Sequence, residues 1–144
     1  MIFRELDGKT LVADRQLQAS DMAAAAARGV TLIVNNRPDG EEPDQPAAAE
    51  IETAAAAAGL RYAHIPVAGG FSGDAIAAMG AALAEAEGSA LLFCRSGTRS
   101  TYLWALARAR EGALPEALLG NAARAGYDLR PILLWLNQDE RTGG

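Results

Sequence analysis

Short β-branched and aromatic runs alternate with alanine-rich stretches of helical length along this chain. Ile2–Glu5 and Thr10–Ala13 flank Asp7-Gly8, which predicts a β-hairpin. Ser20 is a good N-cap for a helix over Asp21–Arg28, with Gly29 as its stop. Val30–Val34 then reads as a buried strand. From Asn35 to Pro46 three prolines and a glycine predict a long loop. Ala47–Ala58 predicts a second helix closed by Gly59, and Leu60–Val67 contains the next strand. Ala68–Gly73 is a glycine-rich loop. Ser72 or Asp74 caps a third helix reaching about Glu87; Gly88 ends it, and Ala90–Phe93 forms the last strand. Beyond Cys94 the pattern is helical to the end, with breaks near Gly112–Pro115 and Gly126–Pro131.

Strands that alternate with helices predict one α/β domain over residues 1–144, with a mostly parallel central sheet and helices on both faces. Ligands of such sheets bind at the carboxyl ends of the strands. Two polar turns sit at such ends: FCRSGTRS after Ala90–Leu92, and NNRPDGEE after Val30–Val34.

Composition narrows the picture. Apolar residues make up 50% of the 144, but 33 residues are alanine, so the larger side chains suffice for one compact core only. The net charge is −5 and no basic stripe appears, which argues against nucleic-acid binding. The start, MIFRELDGK, is charged and lacks a signal-peptide apolar region, and no apolar run is long enough to cross a bilayer. One cysteine makes no internal disulfide. A cytoplasmic protein without a membrane or nucleic-acid partner is the expectation. One histidine and no Cys/His cluster predict no metal and no cofactor.

The one cysteine, Cys94, stands between a buried strand and a cationic turn. A strand that turns directly into a helix leaves backbone N–H groups pointing into the turn, where they can hold an anion. Gly97 allows the tight backbone, and Arg99 can grip an oxyanion with two parallel hydrogen bonds. Ser96 and Thr98 belong to the same cradle. The positive field favours the Cys94 thiolate, a nucleophile. Ser100 can hydrogen-bond the sulfur as a leaving group, and Arg95 can face outward and attract small anionic substrates. The bland alternative is a small apolar residue at a strand end. Arg, Ser, Gly, Thr, Arg and Ser directly behind the strand are hard to use for packing, so the functional reading prevails.

The Cys-x4-Arg-Ser pattern before a helix resembles two groups. Protein tyrosine phosphatases carry Cys-x5-Arg-Ser/Thr, usually with histidine before the cysteine; rhodanese sulfurtransferases carry a shorter cysteine loop. Across VNNRPDGEEPDQP, GLRYAHIPV and FCRSGTRS, nearly the whole chain resembles the DUF442 family. This is the phosphatase-like domain of the beta-lactamase hydrolase-like proteins, sometimes labelled a sulfur transferase family. The resemblance implies a protein tyrosine phosphatase-like fold of the dual-specificity type, with Cys94 as nucleophile and Arg99 as oxyanion binder.

Three departures from the phosphatase pattern bear on the chemistry. The cysteine loop is one residue shorter, Phe93 replaces the histidine, and the loop Val67–Phe71 lacks the expected aspartic acid. Asp74 follows, where a helix cap is also expected. Asp39, Glu41 or Glu42 can substitute as the acid from the opposite rim. Arg37 can bind the substrate anion or pair locally with Asp39. Without an acid, phosphoester cleavage loses roughly 10²–10⁴-fold. Three readings follow: a phosphatase working through phosphocysteine, a sulfurtransferase working through a Cys94 persulfide, and a non-catalytic anion-binding module. His64 is expected to be packed or half-exposed, Trp104 and Trp135 to lie in the core, and Tyr127 to anchor a loop.

Overall fold

The computed structural model describes residues 3–137; Ile2 of the expected first strand and positions 138–144 of the expected helical tail lie outside the described residues. Strands β1 (Phe3–Asp7) and β2 (Thr10–Ala13) form the hairpin around Asp7-Gly8. β3 (Val30–Asn35), β4 (Arg61–His64) and β5 (Ser89–Phe93) complete a five-stranded sheet in the order β1-β2-β5-β3-β4, parallel except for the hairpin. The helices are α1 (Met22–Ala27), α2 (Ala48–Ala57), α3 (Gly73–Glu85), α4 (Thr98–Arg110) and α5 (Pro115–Ala125), with residues 133–137 also helical.

The layering follows from side-chain alternation and crossover handedness. Along β5, Ala90 and Leu92 face one core while Leu91 and Phe93 face the other. The crossovers from β2 to β3 and from β3 to β4 run outward across the sheet, and that from β4 to β5 returns. Right-handed connections then put α1 and α2 on one face and α3 on the other. Met22, Ala25, Ile51 and Ala55 accordingly pack with Phe93, while Met79, Leu103, Trp104 and Leu118 pack with Leu92.

Local chemistry moves some boundaries. Ser20 lies inside a short 3-10 turn, Ala19–Asp21, and the Asp21 carboxylate accepts from the Gln18 N–H at 2.8 Å. The helix therefore opens at Met22. Ser72, not Asp74, caps α3: its hydroxyl accepts from the Ala75 N–H at 3.1 Å. α3 stops at Glu85 because Ala86 turns extended and is buried. Trp104 is fully buried and its indole N–H donates to Asp7. Trp135 corrects the expectation of a core residue: it is 46% exposed, its ring edge packed on Phe71. Ile132 and Leu136 are buried in the core that also holds Leu103, Leu106 and Leu129, while Leu134 and Trp135 stay outside.

Candidate active site

The two polar turns meet because β3 and β5 are neighbours. Past Asn35 and Phe93 the ladder gains one further bond, from the Asn36 N–H to the Phe93 carbonyl at 2.8 Å. Asn36 then ties the strand ends to the helix behind the cysteine. Its side-chain amide donates to the Ile65 carbonyl at 2.9 Å, and its side-chain oxygen accepts from the Ser100 hydroxyl at 2.8 Å. Asn36 and Ser100 are both fully buried, so each lost bond would leave a polar group unpaired away from water.

Cys94 is 1% exposed at the end of β5. The backbone turns back over it, and the Gly97 N–H points at its sulfur at 3.1 Å. Gly97 has φ +93, and a Cβ there would strike the Tyr127 hydroxyl and stand 2.7 Å from the Ala13 carbonyl. Only glycine suits both the left-handed backbone and the close approach. α4 begins directly after it; the Thr101 hydroxyl donates to the Gly97 carbonyl at 2.8 Å and the Tyr127 hydroxyl to the Ser96 carbonyl at 2.9 Å. Burial pushes the Tyr127 phenol up to about 12, so it stays a donor at neutral pH.

Arg99 projects from the first turn of α4 toward the opposite loop. It donates in fork geometry to both Glu41 carboxylate oxygens, at 2.7 and 2.9 Å, and to the Val67 carbonyl at 2.8 Å. The Glu41 hydrogen bond, with the Cys94 sulfur adding to it, holds the guanidinium charged. Arg99 in turn pulls the Glu41 carboxyl down to about 2, with Arg37 contributing. Arg37 is 3% exposed; its guanidinium is caged by Glu41 at 2.9 Å, Gln16 at 2.9 Å and Glu42 at 2.7 Å. Arg95 reaches outward, its side chain 70% exposed, and meets Glu42 at 3.1 Å. The arrangement is a buried thiol under the Gly97 amide, beside a guanidinium held by an acidic rim.

A family model described as "Beta-lactamase hydrolase-like protein, phosphatase-like domain" matches residues 3–111. The chain belongs to this family. It is 37% identical over 125 residues to the beta-lactamase hydrolase-like protein of Agrobacterium fabrum, covering 85% of this chain and 29% of that one. The phosphatase-like domain thus corresponds to less than a third of that relative's length. Among solved structures, a candidate phosphatase from Neisseria meningitidis superposes with a TM-score of 0.84 at 30% identity, over 96% of this chain and 99% of that one. Tk-PTP in its active form, 17% identical with a TM-score of 0.67 over 98% of this chain and 97% of that one, shares the fold alone. The α/β architecture is that of protein tyrosine phosphatase-like enzymes, and the family supports cysteine-type, phosphatase-like chemistry in general.

Several expected roles change in this phosphatase-like domain. The Ser100 hydroxyl, expected to serve the sulfur, donates to the Asn36 side-chain oxygen. Arg37 is a buried brace and not an open anion ligand, and its partners are Glu41 and Glu42, not Asp39. Glu41 is unsuited to be a general acid because a carboxyl near 2 carries no proton at neutral pH. Asp39 accepts from the Ala48 N–H at 2.7 Å and so caps α2 from a distance. Asp74 is exposed in the first turn of α3. His64 is exposed, and one ring nitrogen lies 3.0 Å from the Arg37 carbonyl. Ser96 and Thr98 bond each other at 3.2 Å across the mouth of the turn. Sequence reasoning missed Asn36, Gln16, Val67 and the Tyr127–Ser96 bond. The only advance signal was the polar pair Asn35-Asn36 at the end of an otherwise apolar strand.

Proposed function

We propose that this domain is a cysteine-dependent enzyme acting on small tetrahedral oxyanions, in the first instance a phosphomonoester. The Cys94 thiolate attacks phosphorus, the bond to the leaving oxygen breaks with its electron pair, and phosphocysteine forms. Water then attacks phosphorus, the S–P bond breaks, and inorganic phosphate and the thiolate are released, the water proton passing to phosphate or solvent. Arg99 and the turn's N–H groups hold the three equatorial oxygens as charge shifts onto them. The observation that carries this reading is the Gly97 N–H aimed at the Cys94 sulfur at 3.1 Å, beside a guanidinium kept charged. A small anion is the partner this cradle fits.

The commitments of the carboxylates favour a second reading. Asp39 holds a helix N-terminus, and Glu41 and Glu42 each bridge guanidinium groups. Sulfur transfer requires no protonated leaving group. The thiolate takes the outer sulfur of an anionic donor such as thiosulfate, and sulfite leaves with the bonding pair. An acceptor thiolate then takes that sulfur from the Cys94 persulfide.

The test is to give the purified chain an aryl phosphate and, separately, thiosulfate with a thiol acceptor. Vanadate-sensitive phosphate release that disappears in Cys94→Ser is expected for the first reading. A persulfide on Cys94 without phosphate release would replace it by the second. Absence of both, with phosphate still binding, would leave an anion-binding module.

A further inference from the structure

On α4, Arg99, Tyr102, Leu106 and Arg110 stand at i, i+3, i+7 and i+11, which puts them on one face of the helix. The stripe has a guanidinium at each end, with half-buried Tyr102 and buried Leu106 between. The two arginines are roughly 16 Å apart along the axis at 1.5 Å per residue. Phe71 packs on Tyr102 with ring centroids 6.0 Å apart, and Trp135 packs on Phe71 at 6.2 Å. Beside these rings lies a pocket of about 440 Å³, walled by Gly70, Phe71, Ile76, Leu106, Trp135 and Arg110. That volume suits a small organic molecule.

The pocket lies near the candidate active site along the loop that follows β4. The Val67 carbonyl accepts from Arg99, and Gly69, two residues on, already lines the pocket. Two residues span at most about 7 Å of chain. At the far end, the Arg110 guanidinium donates a long bond, 3.4 Å, to the Gly73 carbonyl, and no carboxylate among the described residues pairs with it. Trp135 is 46% exposed although aromatic and packed on one side only. An apolar wall ending at the Arg110 guanidinium matches a ligand that is apolar along its body and negative at its end.

We infer that this pocket is the subsite for the organic part of the substrate: an elongated aryl or alkyl body that carries the reacting oxyanion at one end and a second negative charge, opposite Arg110, at the other. The inference rests on Cys94 acting on an oxyanion, as proposed above. The reacting group sits at the cysteine turn, the body passes over Tyr102 and Phe71, and its far end lies against Trp135.

The test uses calorimetric binding to the full chain carrying Cys94→Ser, so that turnover plays no part. The probes are inorganic phosphate, phenyl phosphate, 4-biphenylyl phosphate, and the same biphenyl with a carboxylate on the distal ring. Affinity is expected to rise by roughly tenfold from phenyl to biphenyl as a further ring is covered, and again with the carboxylate. Trp135→Ala should weaken biphenyl binding far more than phenyl binding, and Arg110→Gln should remove the gain from the carboxylate. Equal affinity for all three aryl phosphates, in protein that binds inorganic phosphate, overturns the inference and leaves the oxyanion reading standing. Failure to bind even inorganic phosphate overturns both.

Discussion

Replacing Glu41 by glutamine keeps the side-chain volume and removes one charge from the pair that orients Arg99. In the native domain its carboxylate accepts two hydrogen bonds from Arg99 and one from Arg37, all between 2.7 and 2.9 Å. Its carboxyl is held at about 2 against an ordinary 4.5, chiefly by Arg99. That difference corresponds to at most about 3 kcal/mol of favourable interaction. The side chain is 29% exposed, so water and salt screen the pair, and about 1–2 kcal/mol is the expected net loss at pH 7. The folded state holds the carboxyl low, so its contribution is complete above about pH 5 and disappears as pH falls through 2. Urea unfolding followed by the fluorescence of buried Trp104 measures this directly. Wild type and Glu41→Gln should differ by about 1–2 kcal/mol at pH 7 and converge toward pH 2. A difference that is constant with pH, or absent at pH 7, would refute the charge-pair account of Arg99.

Asn36→Ala should cost about 2–4 kcal/mol in the same assay, since it empties a buried site and strands the Ser100 hydroxyl and the Ile65 carbonyl. Gly97→Ala should slow or abolish turnover in a protein that still folds, because a Cβ there meets the Ala13 carbonyl and the Tyr127 hydroxyl; unchanged kinetics would contradict the loop geometry. Tyr127→Phe should lose about 1 kcal/mol with the Ser96 bond. The phenol titrates near 12 when folded and 10 when unfolded, so wild-type stability should fall as pH rises through that interval, and this fall should be smaller in the phenylalanine variant.

The sheet and the cysteine turn were legible because their signals are local. β5 is an apolar run ended by a polar turn with a glycine, and adjacent residues carry that whole message. The partners of the turn come from far along the chain. Glu41 is 58 positions from Arg99, Asn36 is 64 from Ser100, and Tyr127 is 31 from Ser96. Spacing alone gives no reason to pair Ser100 with Asn36 when Cys94 is nearer in sequence. The loop Asn35–Pro46 showed four acids and one arginine at a strand end, which marked the right place. It did not show that Arg37 would be buried, since that depends on Gln16 closing the cage from another element. Ser72 and Asp74 compete for one cap by the same chemistry, and the backbone selects Ser72 by turning extended there. Trp135 shares an apolar helical pattern with Leu136, but only Leu136 joins the buried core, while Trp135 packs on Phe71 and stays 46% exposed.

The account rests on Cys94 as a nucleophile facing an oxyanion held by the turn and Arg99. Rapid quenching of the enzyme during turnover, followed by peptide mass spectrometry, reads the covalent state of Cys94 directly. The account predicts the mass of one phosphoryl group, or of one sulfur atom, on the peptide containing Cys94, and neither in Arg99→Ala. Turnover with an unmodified Cys94, or an equally active Cys94→Ser protein, would contradict it.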